Sequence, residues 1–325
     1  MLLFSTDMII FMISFIVIFV ILFIFRKLTR NNMPAIIRYD EEKYYMDFSS
    51  AVPTKKPFPG LFDEYSLYLS VIVPAYNEQD RLPPMLDECM EFLENRSRRD
   101  RQFSYEVIIV DDGSLDKTSE IGLEYSKKYG SDKCRVLTLV KNRGKGGAVR
   151  LGMLYARGRY LLFADADGAT KFEDFEKLES EMRQSTVENI YSIVVGSRAH
   201  LEKEAIASRS FFRTILMYGF HFLVWLFAVR SVRDTQCGFK MFTREAGIIL
   251  FAILHVERWA FDVELLYIAE KKTMAIKEVA VNWTEIDGSK LVPFWSWLQM
   301  GIDLLMIWIK YQTGIWKLQD TKKFS

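Results

Sequence analysis

Hydrophobic and polar residues alternate with different rhythms along this chain. Met8 to Phe25 carries no charge, and Ser14 is its only clearly polar residue. As a helix such a run spans about 27 Å, close to a hydrocarbon core of roughly 30 Å, so it predicts a membrane anchor. No basic region precedes the run and no small-x-small site follows it, which argues against a cleaved leader. Asp7 precedes it while Arg26, Lys27 and Arg30 follow. That basic excess predicts a lumenal N-terminus and a cytosolic remainder. Residues 1–30 thus read as anchor and basic flank. Residues 31–66, mixed in charge and broken by Pro34, Pro53, Pro57 and Pro59, read as a linker.

From Leu67 the rhythm becomes short apolar runs separated by amphipathic stretches. Runs at 67–73, 105–110, 135–140, 160–164 and 190–196 predict strands, and 82–95, 117–129 and 173–183 predict helices. A further helix is expected between the glycine-rich loop after 140 and the run at 160. The expected fold class is α/β: a mostly parallel, doubly wound sheet covered on both faces, filling a catalytic domain over 67–290. Phe211 to Val229 is apolar apart from Arg213, Thr214 and His221, and predicts an interfacial helix at about 208–230. Leu291 to Trp316 is rich in tryptophan and interrupted by Asp303 and Lys310. Residues 291–325 therefore read as an interfacial amphipathic segment.

The unusual polar residues fall just after the predicted strands. Pro74-Ala75-Tyr76-Asn77-Glu78, Asp111-Asp112-Gly113, Lys145-Gly146-Gly147, Asp165-Ala166-Asp167 and Ser197-Arg198 each occupy such a place. In open α/β sheets ligands bind outside the carboxyl ends of the strands, so the five loops are expected to meet on one rim. Asp165 and Asp167, spaced i and i+2, share a face if the segment stays extended. A pair of hard oxygen donors suits Mg2+ or Mn2+ that leaves part of its shell for phosphate oxygens. Asp111 and Asp112 can accept hydrogen bonds from a base or ribose.

Composition narrows the classes. Over 325 residues the net charge is +1, so nothing global points to nucleic acid. Cys89, Cys134 and Cys237 form no CxxC pair, and His200, His221 and His255 show no HExxH spacing. The glycine loop matches neither the P-loop nor the dinucleotide fingerprint.

PAYNE, the VDDGS turn, the NRGKGGA loop and ADADGAT together resemble the ordered signature of the family-2, GT-A-type inverting glycosyltransferases. The anchor, GSRAH, RDTQCGFK, RWAFDVELL and NWTEIDGSKLVPFWSW resemble the branch of that family acting as dolichyl-phosphate β-glucosyltransferases, from about Met33 to the C-terminus. The resemblance implies transfer of glucose from UDP-glucose to dolichyl phosphate at the cytosolic face of the endoplasmic reticulum, in the service of protein N-glycosylation. Related enzymes often carry a glutamine two residues after the second aspartate as a further metal ligand; here that position is Ala169.

On that footing the nucleotide-sugar set is Pro74, Ala75, Tyr76, Asn77, Glu78, Asp111, Asp112, Lys145, Asp165, Ala166 and Lys290, with the metal on Asp165 and Asp167. Lys290, in an Asp-Gly-Ser-Lys loop, is a candidate second cation for the diphosphate. The acceptor is a phosphate monoester, already mostly dianionic with a second pKa of about 6, so cations that position it matter more than a base. Ser197, Arg198, Arg209 and Arg213 are the candidates for that task. Asp234 and Asp262 are the candidate base or sugar-hydroxyl residues. Three alternatives stay open: GDP-mannose as donor, a processive polysaccharide synthase (disfavoured by the lack of a QxxRW motif and of several spans), and an inactive membrane scaffold on the same fold. Both metal carboxylates are present, against the last.

Overall fold

The computed structural model describes residues 38–201, 230–286 and 293–318, with isolated positions between Met12 and Arg26 and at Gly219; of 293–298 it describes the backbone alone. The expected anchor at Met8 to Phe25 lies largely outside the described residues, and the helix expected at about 208–230 wholly so apart from Gly219 and Arg230. Among the described residues no helix is long and apolar enough to cross a membrane.

The stretch expected to be a linker contains a small antiparallel sheet, β1 (Tyr44–Asp47) and β2 (Thr54–Pro57). Its prolines end strands rather than prevent them. Phe58 stacks on Tyr155 at 4.4 Å between ring centroids, and the buried Arg135 lies over both Tyr45 and Phe58. Leu61 is fully buried, its N–H donating to the Leu154 carbonyl. This segment is part of the body.

The main sheet has seven strands: β3 (Leu67–Ala75), β4 (Tyr105–Asp111), β5 (Cys134–Thr138), β6 (Gly158–Ala164), β7 (Ser192–Ser197), β8 (Phe239–Thr243) and β9 (Ala275–Ala280). Their order is β5-β4-β3-β6-β8-β7-β9. All neighbours are parallel except β8, which runs against both β6 and β7. Helices α1 (Leu82–Arg99), α2 (Thr118–Tyr129), α3 (Lys145–Leu154), α4 (Phe175–Glu188), α5 (Arg244–Ile253) and α6 (Phe261–Lys271) connect and flank the strands. The C-terminal helix α7 spans Pro293–Gln312.

Both faces of the sheet are buried, which is why its strands read as continuous apolar runs. Along β6, Leu161 and Phe163 join the core beneath α3, α5 and α6, while Tyr160, Leu162 and Ala164 join the core beneath α1 and α4. The reversal at β8 has a topological cause. The chain enters β8 from the rim where the parallel strands end, and Phe239 pairs with Ala164, the last residue of β6. The TQCG segment is thereby delivered to that same rim.

The end of α7 differs from an interface-lying helix. Leu304 and Ile307 are fully buried, Lys310 is 6% exposed with its ammonium 4.6 Å from the Trp316 ring centre, and Trp316 stacks on His255 at 4.2 Å. Trp308 is partly exposed.

Candidate active site

At the carboxyl ends of the parallel strands lies an open cleft of about 760 Å³, lined by residues from all five polar loops. Pro74 to Glu78 form one wall. Asn77 adopts a left-handed backbone (φ 51°), which asparagine tolerates, and the turn is bolted to the next loop. Asn77 N–H donates to Ser114 Oγ at 2.8 Å, Leu115 N–H to Asn77 Oδ1 at 2.8 Å, and Glu78 N–H to Thr118 Oγ1 at 2.8 Å. Glu78 accepts from Nε and Nη2 of Arg81, each at 2.7 Å, and Arg81 also borders the cleft. The DDG turn holds loops together. Asp111 accepts from Ser114 N–H at 2.9 Å and from the Ser119 hydroxyl, and it does not line the cleft. Asp112 does line it, but its two oxygens accept from Arg143 N–H at 2.7 Å and Gly144 N–H at 2.8 Å. Burial raises the Asp112 carboxyl to about 7 despite those two bonds. Asp111 thus organises neighbouring backbone away from the cleft, whereas Asp112 both holds that backbone and borders the cleft.

The glycine loop enters α3 through Gly144, whose φ of 81° and 2.8 Å clearance between a virtual Cβ and the Glu257 carbonyl exclude a side chain. Lys145 follows, its ammonium 2.6 Å from Asp165 Oδ1 and 5.7 Å from the centre of the Trp259 ring. After β6 the chain does not stay extended. It turns at Ala166 and Asp167, with Gly168 at φ 69°, yet both carboxylates border the cleft. Asp167 Oδ1 accepts from Ala169 N–H at 3.0 Å, and burial, followed by the charge of Asp165, raises its carboxyl above the usual range. Room for Asp165 comes from across the sheet: a Cβ on Gly238 would lie 1.9 Å from Asp165 Oδ2. The Asp165 N–H also donates to the Gly238 carbonyl at 3.0 Å.

Arg198 also lines the cleft. Asp234 holds it by three bonds, from Arg198 N–H at 2.9 Å, Nε at 2.7 Å and Nη2 at 2.9 Å. Burial alone would raise the Asp234 carboxyl, but the hydrogen bonds and charge of Arg198 outweigh it and keep it below the ordinary range. Asp234 is therefore a brace for Arg198, a correction to its candidacy as a base. Trp283 lies beneath the guanidinium, 5.3 Å from it, placed there by Thr284 N–H donating to Ala169 O and by the Thr170 to Trp283 bridge. Asp262 lines the cleft floor, and its Oδ1 accepts from the fully buried Lys240 at 2.6 Å. Burial raises its carboxyl against the lowering charges of Lys240 and Lys145. Ser197, expected among the acceptor ligands, is buried and accepts from Ala199 N–H at 3.2 Å, and does not line the cleft. Arg209, Arg213 and Lys290 lie outside the described residues. Arg81, Gln236, Trp259, Trp283 and Met300 also line the cleft, though no sequence motif marks them for a role. Only Arg81 left a local signal, its i,i+3 spacing from Glu78.

The acidic pair fits a divalent cation. Burial and then the charge of Asp165 raise the Asp167 carboxyl, as expected of a pair awaiting a cation, and the Lys145 ammonium stands against Asp165. Among the described residues no third His, Cys, Asp or Glu joins them, so a metal here would draw the rest of its shell from ligand oxygens and water.

Residues 70–247 match the family description Glycosyl transferase family 2. A dolichyl-phosphate beta-glucosyltransferase of Drosophila melanogaster is 63% identical over 291 residues, covering 89% of this chain and 89% of that protein. The Homo sapiens protein of the same name is 59% identical over 298 residues, 91% of each. In fold, the chain is similar to glucosyl-3-phosphoglycerate synthase from Mycobacterium tuberculosis, solved with Mn2+, UDP-glucose and phosphoglyceric acid. The TM-score is 0.53 at 18% identity, over 74% of this chain and 79% of that one.

Proposed function

The chain belongs to glycosyl transferase family 2 and, within it, to the dolichyl-phosphate β-glucosyltransferases, and we propose that its cleft transfers glucose from UDP-glucose to dolichyl phosphate with inversion. One observation carries the assignment of the site. A single cleft holds a carboxylate pair beside Lys145 together with an arginine whose direction is fixed by Asp234.

Asp165 and Asp167 would hold Mg2+ or Mn2+, which supplies Lewis-acid neutralisation of the departing diphosphate. Lys145 and Arg81 add positive charge near the same carboxylates. Arg198, backed by Asp234 and lying against Trp283, receives the acceptor phosphate. A phosphate with a second pKa of about 6 attacks as a dianion near neutrality and needs no proton removed. Inversion then requires a line from the Arg198-held phosphate through the sugar carbon to the diphosphate, and both sets of residues line the cleft that would hold it. Asp262, with one oxygen tied to Lys240, orients sugar hydroxyls rather than serving as base.

The membrane geometry is part of the same proposal. Residues 8–25 anchor the chain in the endoplasmic reticulum membrane with the N-terminus lumenal, and residues 67–290 work on the cytosolic side. The apolar stretch at about 208–230 and the segment 291–325 would serve the lipid surface from which the acceptor arrives. The deciding experiment feeds labelled UDP-glucose or GDP-mannose to the purified protein with dolichyl phosphate, with and without chelator. Glucose should enter the lipid in a metal-dependent way. Mannose transfer instead, or glucose transfer unaffected by chelator, would sink the assignment.

A further inference from the structure

We infer that Glu42, which lies ahead of the family-matched region, is a positioning residue for the donor half of the cleft; the inference rests on the nucleotide-sugar function proposed above. Glu42 is 1% exposed, unusual for a carboxylate in a short, charged N-terminal turn. Every bond its side chain makes outside its own turn goes to the strand-to-helix connection that ends in Gly144 and Lys145. Oε1 accepts from Val140 N–H at 3.0 Å, and Oε2 accepts from Arg143 Nη2 at 2.8 Å. The Tyr39 N–H donates to Oε2 at 3.2 Å, and the Tyr155 hydroxyl donates to the Glu42 carbonyl at 2.8 Å. The Tyr39 ring also lies 5.7 Å from the Arg143 guanidinium.

Arg143 is thereby fixed at both ends. Asp112 takes its backbone N–H, and Glu42 takes its side chain. The next two residues are the left-handed Gly144 and Lys145, whose ammonium reaches Asp165. The first turn of α3 rests on Arg143, because a Cβ on Gly147 would lie 2.6 Å from Arg143 Cβ. A shift of Arg143 is therefore passed to Lys145 with little to absorb it. Glu42 touches neither the cleft nor the acceptor end at Arg198, so its effect should fall on the donor alone.

The test uses the full-length protein carrying E42Q, R143M and both together, with thermal melting as a folding control. KM is measured separately for UDP-glucose and dolichyl phosphate, and UDP binding is measured by calorimetry with Mn2+. Each single variant should raise the UDP-glucose KM and the UDP Kd by about tenfold and leave the dolichyl phosphate KM unchanged, and the double variant should be no worse than either. Normal UDP affinity in E42Q overturns the inference, as does an equal rise in both KM values or a smaller active fraction with KM intact. If E42Q does not fold, R143M decides by the same criteria. Failure of the wild type to use UDP-glucose would refute the proposed function instead, while the Kd for UDP would still report on Glu42.

Discussion

Gly238→Ala is the sharpest test of the site because it adds one methyl group and no charge. The new Cβ would stand 1.9 Å from Asp165 Oδ2 and 2.1 Å from its Cγ, where real Cβ atoms keep beyond 3.0 Å. Relief needs about 1 Å of movement, and a misplacement of that size at a reacting centre costs about 100-fold. The backbone cannot supply it cheaply, since Asp165 N–H is bonded to the Gly238 carbonyl. The side chain must swing, breaking its contact with Lys145. Crowding one methyl into this position should cost about 1–3 kcal/mol of stability, tolerable for a folded domain. The assay is transfer of labelled glucose to dolichyl phosphate in detergent at saturating Mn2+, with thermal melting in parallel. G238A should remain folded and lose about 100-fold in kcat/KM. Adding it to D165A should cost nothing further, because the group it displaces is gone. A folded G238A within about threefold of wild type, or full additivity with D165A, would refute the role given to Asp165.

D165A and D167A should each lower turnover by about a thousandfold while leaving folding intact, matching the effect of chelator on the wild type; turnover assays and melting curves check both. D234N should raise the KM for dolichyl phosphate by about tenfold with little change for UDP-glucose, since Arg198 loses its charged brace and the donor end is untouched; steady-state kinetics in both substrates would expose a uniform loss instead. Asp112, raised to about 7 by burial, carries a proton in the folded state over pH values where the unfolded chain has lost it. Its contribution to stability should therefore fall as pH rises from the ordinary carboxylate range to about 7 and stay level above. The melting temperature of wild type relative to D112N should decline across that window, and a flat difference would contradict it.

The sheet was legible because its strands are buried on both faces and end in polar residues, so LYLSVIV and YEVIIV announce themselves. The rim was legible for the same reason: whatever follows such a strand must lie there. Strand β8 was not, because FKMFT is short and its direction depends on where residues 230–238 cross the rim. Roles were harder than places. Asp234 stood out in RDTQCGFK, yet only its meeting with Arg198, 36 positions earlier, shows that it braces rather than abstracts protons. Asp111 and Asp112 invited a ligand reading, although the serine three residues after Asp111 was a local cue for a carboxylate closing its own turn. Gly238 gave no cue at all, since its function is an emptiness opposite Asp165. The prolines of 53–59 read as breakers in the sequence alone, but proline's cost depends on whether its missing N–H had a partner, and an edge strand does not ask for one.

The hairpin at Tyr44–Pro57 bears on how the enzyme should be cut for expression. A boundary drawn at the start of the family match, near residue 70, would uncover the Arg135 guanidinium and remove the Gly60 and Asp63 carbonyls that receive Arg244. Soluble fragments should begin between Arg26 and Arg38; those opening at Leu67 should come out of cells as aggregates.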